Sequence, residues 1–164
     1  MNDPATPVDA DLELHVPAVR RPVRPSVLPV VAVISAGGVV GALARYGLSS
    51  AWPHPAGGFP WATWVTNVSG CLLIGVLMVT VTEVVTGQRL LRPFLGVGVL
   101  GGYTTFSTYV VDVQRAATAG APAVALAYLA ATLLGALLAV WAGVAAAGVL
   151  VRWRRRARRA GGLW

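Results

Sequence analysis

The stretch Gly101-Gly102-Tyr103-Thr104-Thr105-Phe106-Ser107-Thr108-Tyr109 packs hydroxyl side chains into the middle of an uncharged apolar run, residues 93–111. Paired glycines weaken a helix by roughly 1 kcal/mol each relative to alanine, and hydrocarbon cannot solvate the backbone groups that a broken helix frees. Such a break is tolerated where it is buried in protein or lines an aqueous cavity, and released carbonyls there hold cations. Ion handling is therefore the chemistry to expect. Phe106 and Tyr109, three residues apart, share a helical face, and an aromatic edge carries partial positive charge that can face an anion. Ser107, Thr108 and Thr104 fall on a neighbouring face.

Other polar residues stand alone in apolar surroundings. Asn67 lies about 9 Å into a second run by helical rise, and its carboxamide either bonds within the helix bundle, to Ser69 or Thr66, or turns its N–H groups toward a pore. Arg45 follows about 27 Å of apolar helix, so its guanidinium either snorkels to the far interface or supplies a fixed positive charge at an anion vestibule. Tyr128 and Thr132 form one stripe at i and i+4, which Ala136 and Val140 then end. Gly37 and Gly41 form a small-xxx-small face suited to close helix packing. His15 has no partner at metal-ligand spacing, and His54, in the Pro/Gly-rich loop 50–60, reads as facing water. No paired carboxylates and no nucleophile with a positioned base are visible, so the residues do not suggest an enzyme.

These residues need elements to hold them. The chain has 164 residues, 56% hydrophobic and 12% charged, too apolar for an ordinary soluble domain. Uncharged runs cover 27–44, 61–82, 93–111 and 116–151, each long enough to cross about 30 Å of hydrocarbon. The reading is an all-α integral membrane protein of four transmembrane helices, at about 27–48, 61–83, 93–113 and 122–150, with the third broken near mid-membrane. Residues 1–26 read as a flexible N-terminal tail, 27–151 as one four-helix channel domain, and 152–164 as a basic C-terminal tail. The acidic start of the chain is unlike a signal peptide, and the lone Cys71 excludes an internal disulfide framework. Without an internal repeat, an ion site between inverted repeats needs a second copy or a paralogue, so a dimer is expected.

The net charge is +7, and all the basic residues are arginine. The tail cluster from Arg152 to Arg159 resembles a phosphate-binding arm, but its place beside a membrane span favours the lipid surface over nucleic acid. Arg20, Arg21, Arg24, Arg89, Arg92 and the tail arginines share one side of the membrane, against Arg115 on the other. The positive-inside rule then puts both termini in the cytoplasm of a multi-pass plasma-membrane protein.

Taken together, Gly37-Gly38 through Gly41-Ala42 to Arg45-Tyr46, then Val65-Thr66-Asn67 with Gly70, then Gly101 to Thr108, resemble the CrcB/Fluc fluoride channels over nearly all of 27–151. The resemblance implies an antiparallel dimer that passes fluoride passively and protects the cell from its toxicity, with a structural sodium ion between subunits. It implies that the main-chain carbonyls of Gly101 and Thr104 hold that sodium. It assigns the fluoride pore to Asn67, Phe106, Ser107, Thr108, Tyr109, Tyr128 and Thr132, and the anion vestibule to Arg45. Tyr109 departs from the usual phenylalanine, and Asp112 from a more usual glutamate. The strong arginine bias also favours one fixed orientation, hence a heterodimer with an oppositely biased paralogue over a homodimer. The competing reading is a small four-helix proton-coupled multidrug exporter, which needs an acid within the membrane; Glu83 and Asp112 fall at span ends.

Overall fold

The computed structural model describes residues 27–83 and 88–161; the N-terminal tail read over 1–26, with His15 and three of the counted arginines, lies outside them. All regular structure among the described residues is helical, as it must be where lipid offers backbone groups no partner. Helix α1 spans Leu28–Ala51, with proline in its first turn, and α2 spans Trp61–Glu83. The third span runs from Pro93 to Thr118. It begins as π-helical turns, Pro93–Leu100, continues into α3, Gly101–Tyr103, and resumes as α4, Ser107–Thr118. Helix α5, Pro122–Gly161, carries the helical backbone through the arginine cluster. Among the described residues four helices are long and apolar enough to cross a membrane.

Between α4 and α5 the chain turns in three residues. Gly120 takes φ 77°, and the N–H groups of Gly120 and Ala121 donate to the carbonyls of Ala117 and Ala116. This closes the last turn of α4 with a left-handed glycine, and Pro122 then starts α5 where no amide hydrogen is needed.

Packing comes as two pairs of parallel helices. Helix α1 lies against the first half of the third span through glycines. A Cβ on Gly41 would collide with the Val99 carbonyl, and one on Gly102 with that of Gly38. Helix α2 lies against α5 in the same manner: a Cβ on Gly143 would strike the Leu72 carbonyl, and the Trp64 indole donates to the Ala131 carbonyl at 3.2 Å. Small residues let backbones approach where lipid gives no hydrophobic drive to associate. Large apolar side chains face outward instead, among them Leu43, Leu133, Leu138 and Trp141, as a lipid-facing surface requires.

Candidate functional site

The interruption of the third span falls just after the glycine pair. Gly101 keeps helical dihedrals, φ −64° and ψ −35°, and Gly102 serves close approach to α1. The backbone leaves the helix at Thr104, with ψ 159°. Two side chains make the break possible. Asn67, on α2, donates from Nδ2 to the Thr105 carbonyl at 2.9 Å and accepts the Thr105 N–H on Oδ1 at 2.9 Å. The Thr105 hydroxyl accepts the Thr108 N–H at 3.1 Å and donates to Thr108 Oγ1 at 2.9 Å, capping the start of α4. In an unbroken helix those two N–H groups would bond the carbonyls of residues 101 and 104. With both redirected to side-chain oxygens, the carbonyls of Gly101 and Thr104 lose the donors a continuous helix would have given them. The intervening carbonyl of Gly102 accepts Nε–H of Arg45 at 3.2 Å. Arg45 is thus half-buried against the break, and its Nε is not spent on snorkelling.

Asn67 therefore uses both ends of its carboxamide on one peptide unit, which keeps one amide hydrogen in reserve. Ser69, a neighbour considered for it on sequence, bonds instead to the Val65 carbonyl and the Tyr103 hydroxyl, at 2.6 and 3.0 Å.

Beside the break the aromatic rings form a row. Phe106 and Tyr109 have centroids 5.9 Å apart, Tyr109 and Tyr128 are 5.2 Å apart, and Phe59 meets Tyr128 edge-on at 5.3 Å. The Tyr109 hydroxyl donates to the Leu129 carbonyl at 3.2 Å. Phe106 is 78% exposed, so one end of the row opens to the outside of the chain. Ser107 is also exposed, with its hydroxyl 3.4 Å from that of Thr105.

Behind the rings lie buried polar side chains of α2, α4 and α5. Asp112 is 3% exposed and receives the Thr63 hydroxyl at 2.7 Å, with His54 Nε2 at 3.9 Å and Arg115 Nη1 at 3.8 Å. Sequence position puts Asp112 at the outer end of its span; packing buries its carboxylate. By hydrogen-bond geometry the hydroxyls of Thr66, Tyr128 and Thr132 are buried without a partner among the described residues. Buried O–H groups of that kind are rare in proteins. Each such hydroxyl has a proton free to donate and lone pairs free to accept.

The structure thus gathers Asn67, Phe106, Thr108, Tyr109, Tyr128 and Thr132 around the break, with Gly101, Thr104 and Arg45 beside it. Thr105, Thr63, Thr66 and Asp112 belong to the same constellation and were not singled out as site residues from sequence. For Thr63 a signal existed: Thr63, Asn67 and Gly70 follow one another at i, i+4 and i+7, one face of α2. Gly70 itself lies against Thr104 and Tyr103.

A polytopic helical bundle whose third span is opened by a side-chain clamp, next to an aromatic row and unpaired buried hydroxyls, defines an ion-conducting membrane protein. The sequence model of the family described as CrcB-like protein, Camphor Resistance (CrcB), matches residues 32–144. The chain belongs to that family. It is 56% identical over 127 residues to the Streptomyces coelicolor protein named fluoride-specific ion channel FluC 1, covering 77% of this chain and 82% of that one. It is 51% identical over 146 residues to FluC 2 of Nocardia farcinica, covering 89% and 99%. FluC of Pseudomonas fluorescens matches at 41% over 129 residues, covering 71% and 95%.

Proposed function

We propose that the chain is a subunit of a fluoride-selective channel that lets cytoplasmic fluoride leave the cell by passive diffusion. The observation that carries this reading is the clamped break of the third span, flanked by ring edges and by buried hydroxyls that have no acceptor. Fluoride is small and strongly hydrated, so a pore that takes it from water must offer donors in place of the lost hydration, and a narrow path excludes larger chloride. Asn67 has a spare amide hydrogen, and Tyr128 and Thr132 have O–H groups in need of an acceptor. The edges of Phe106 and Tyr109 add partial positive charge without offering a competing acceptor on the ring. Arg45 lends a full positive charge near the break and draws anions toward it. The curated relatives carry fluoride specificity in their names.

The carbonyls released at Gly101 and Thr104 suit a hard cation, which takes oxygen ligands. A structural sodium ion bound there would supply a fixed positive charge and tie two broken helices together. Gly101 faces outward with open space beside it, and Phe106 is exposed, so this half-site is completed by a second subunit in antiparallel orientation. The arginine bias favours one insertion, with both termini cytoplasmic, and hence an oppositely oriented paralogue as that second subunit.

The test is fluoride efflux from liposomes containing the purified chain, read with a fluoride electrode beside a chloride control. Fluoride loss without chloride loss supports the channel and dual insertion; loss of both anions refutes selectivity. If the chain alone is silent, the heterodimer reading requires that co-reconstitution with an oppositely charged paralogue restores fluoride efflux, and continued silence rejects the function.

A further inference from the structure

Helix α5 outlasts the membrane. Its 40 residues span about 60 Å, twice the hydrocarbon thickness, and its last third holds six arginines and no acid. Helix α2, its parallel neighbour, ends at Glu83. A cavity of about 210 Å³ opens where α2 stops, lined by Val79 of α2 and by Gly148, Val151, Arg152 and Arg155 of α5. At 100° per residue those α5 positions fall on one stripe, whereas Arg154 and Arg156 point roughly a quarter turn or more away. The Arg152 guanidinium lies back over Gly148, 3.5 Å from where a Cβ on it would stand. Trp153, 67% exposed, sits beside them, and indoles of that kind settle at headgroup depth.

We propose that this cavity is a binding site for an anionic phospholipid, its phosphate on Arg152 and Arg155 and the start of an acyl chain against Val79 and Val151. The chemistry is that of a basic pocket between membrane helices, which favours a headgroup phosphate over a zwitterionic one. The apolar wall is what distinguishes the site from a plain charged tail. A free phosphate would meet the same guanidinium groups but gain nothing from Val79 and Val151. The inference needs only the membrane span of α5 and α2, so it stands apart from the transported ion.

The full chain is purified in detergent and titrated with phosphatidylglycerol, with phosphatidylcholine, and with glycerol phosphate as the chain-free anion, bound lipid being counted by native mass spectrometry. Phosphatidylglycerol binds in preference to the other two. R152Q/R155Q weakens it roughly 30-fold, as two surface charges predict, while R154Q/R156Q, with the same loss of charge, changes it less than about three-fold. Where R152Q/R155Q does not fold, R152K/R155K serves, with binding retained on charge. Equal losses in the two glutamine pairs reduce the site to general tail charge and overturn the proposal. Equal binding of phosphatidylcholine, or displacement by glycerol phosphate, overturns it too.

Discussion

Asn67→Ala removes the clamp that holds the third span open. Two hydrogen bonds of 2.9 Å are lost, and the N–H and carbonyl of Thr105 lose their partners in a half-buried position. Interhelical hydrogen bonds within membranes average about 0.6 kcal/mol, and a buried backbone group left unsatisfied costs about 1–3 kcal/mol. For two bonds at partial burial the loss of stability is therefore about 1–3 kcal/mol. Asn67→Asp separates the two halves of the clamp. A carboxylate still accepts the Thr105 N–H but sets an oxygen against its carbonyl and adds a charge at membrane depth, so it costs at least as much stability, and on the proposed function it puts negative charge in the anion's path. Reversible unfolding in mixed detergent micelles gives the stability, and liposome efflux gives the transport. Both variants are expected to be less stable than wild type, with fluoride efflux suppressed in both and most fully in the Asp variant. Wild-type stability in Asn67→Ala would show that the break holds itself open. Undiminished fluoride efflux in Asn67→Asp would remove Asn67 from the anion's path.

The other expectations are narrower. Gly41→Ala drives a Cβ into the Val99 carbonyl and next to the Tyr103 amide, so folded protein is lost, while Gly47→Ala, with open space beside it, folds normally; monodisperse yield on size exclusion reads the difference. Tyr109→Phe forfeits one exposed hydrogen bond to Leu129 and costs less than about 1 kcal/mol, and because the ring edge stays, the preference for fluoride over chloride in efflux is unchanged. Thr63→Val keeps the shape but strips the buried Asp112 carboxylate of its 2.7 Å donor, for a loss of about 1.5–3 kcal/mol in the same unfolding assay.

The spans could be read from composition because hydrocarbon admits only long uncharged helices, and that rule acts on the chain locally. The interruption of the third span was also visible, from glycines and hydroxyls at membrane depth. Its place was not. The glycine pair looked like the break, yet Gly102 is helical and spends its missing side chain on contact with Gly38. The helix opens over residues 104–106 because Asn67 and the Thr105 side chain take the two N–H groups that would have continued it. One of those partners is 38 residues away in sequence, out of reach of any local pattern.

By itself, then, the sequence determined how many helices are long and apolar enough to cross, and that the third is interrupted near its middle, since each follows from residue type and spacing. Tertiary structure decided which backbone carbonyls are released, that Arg45 turns to Gly102, and that Asp112 is buried on the Thr63 hydroxyl. Each of those depends on which helices pair and at what register. The pairing is set by glycine contacts between segments distant in the chain, and no single span carries that information alone.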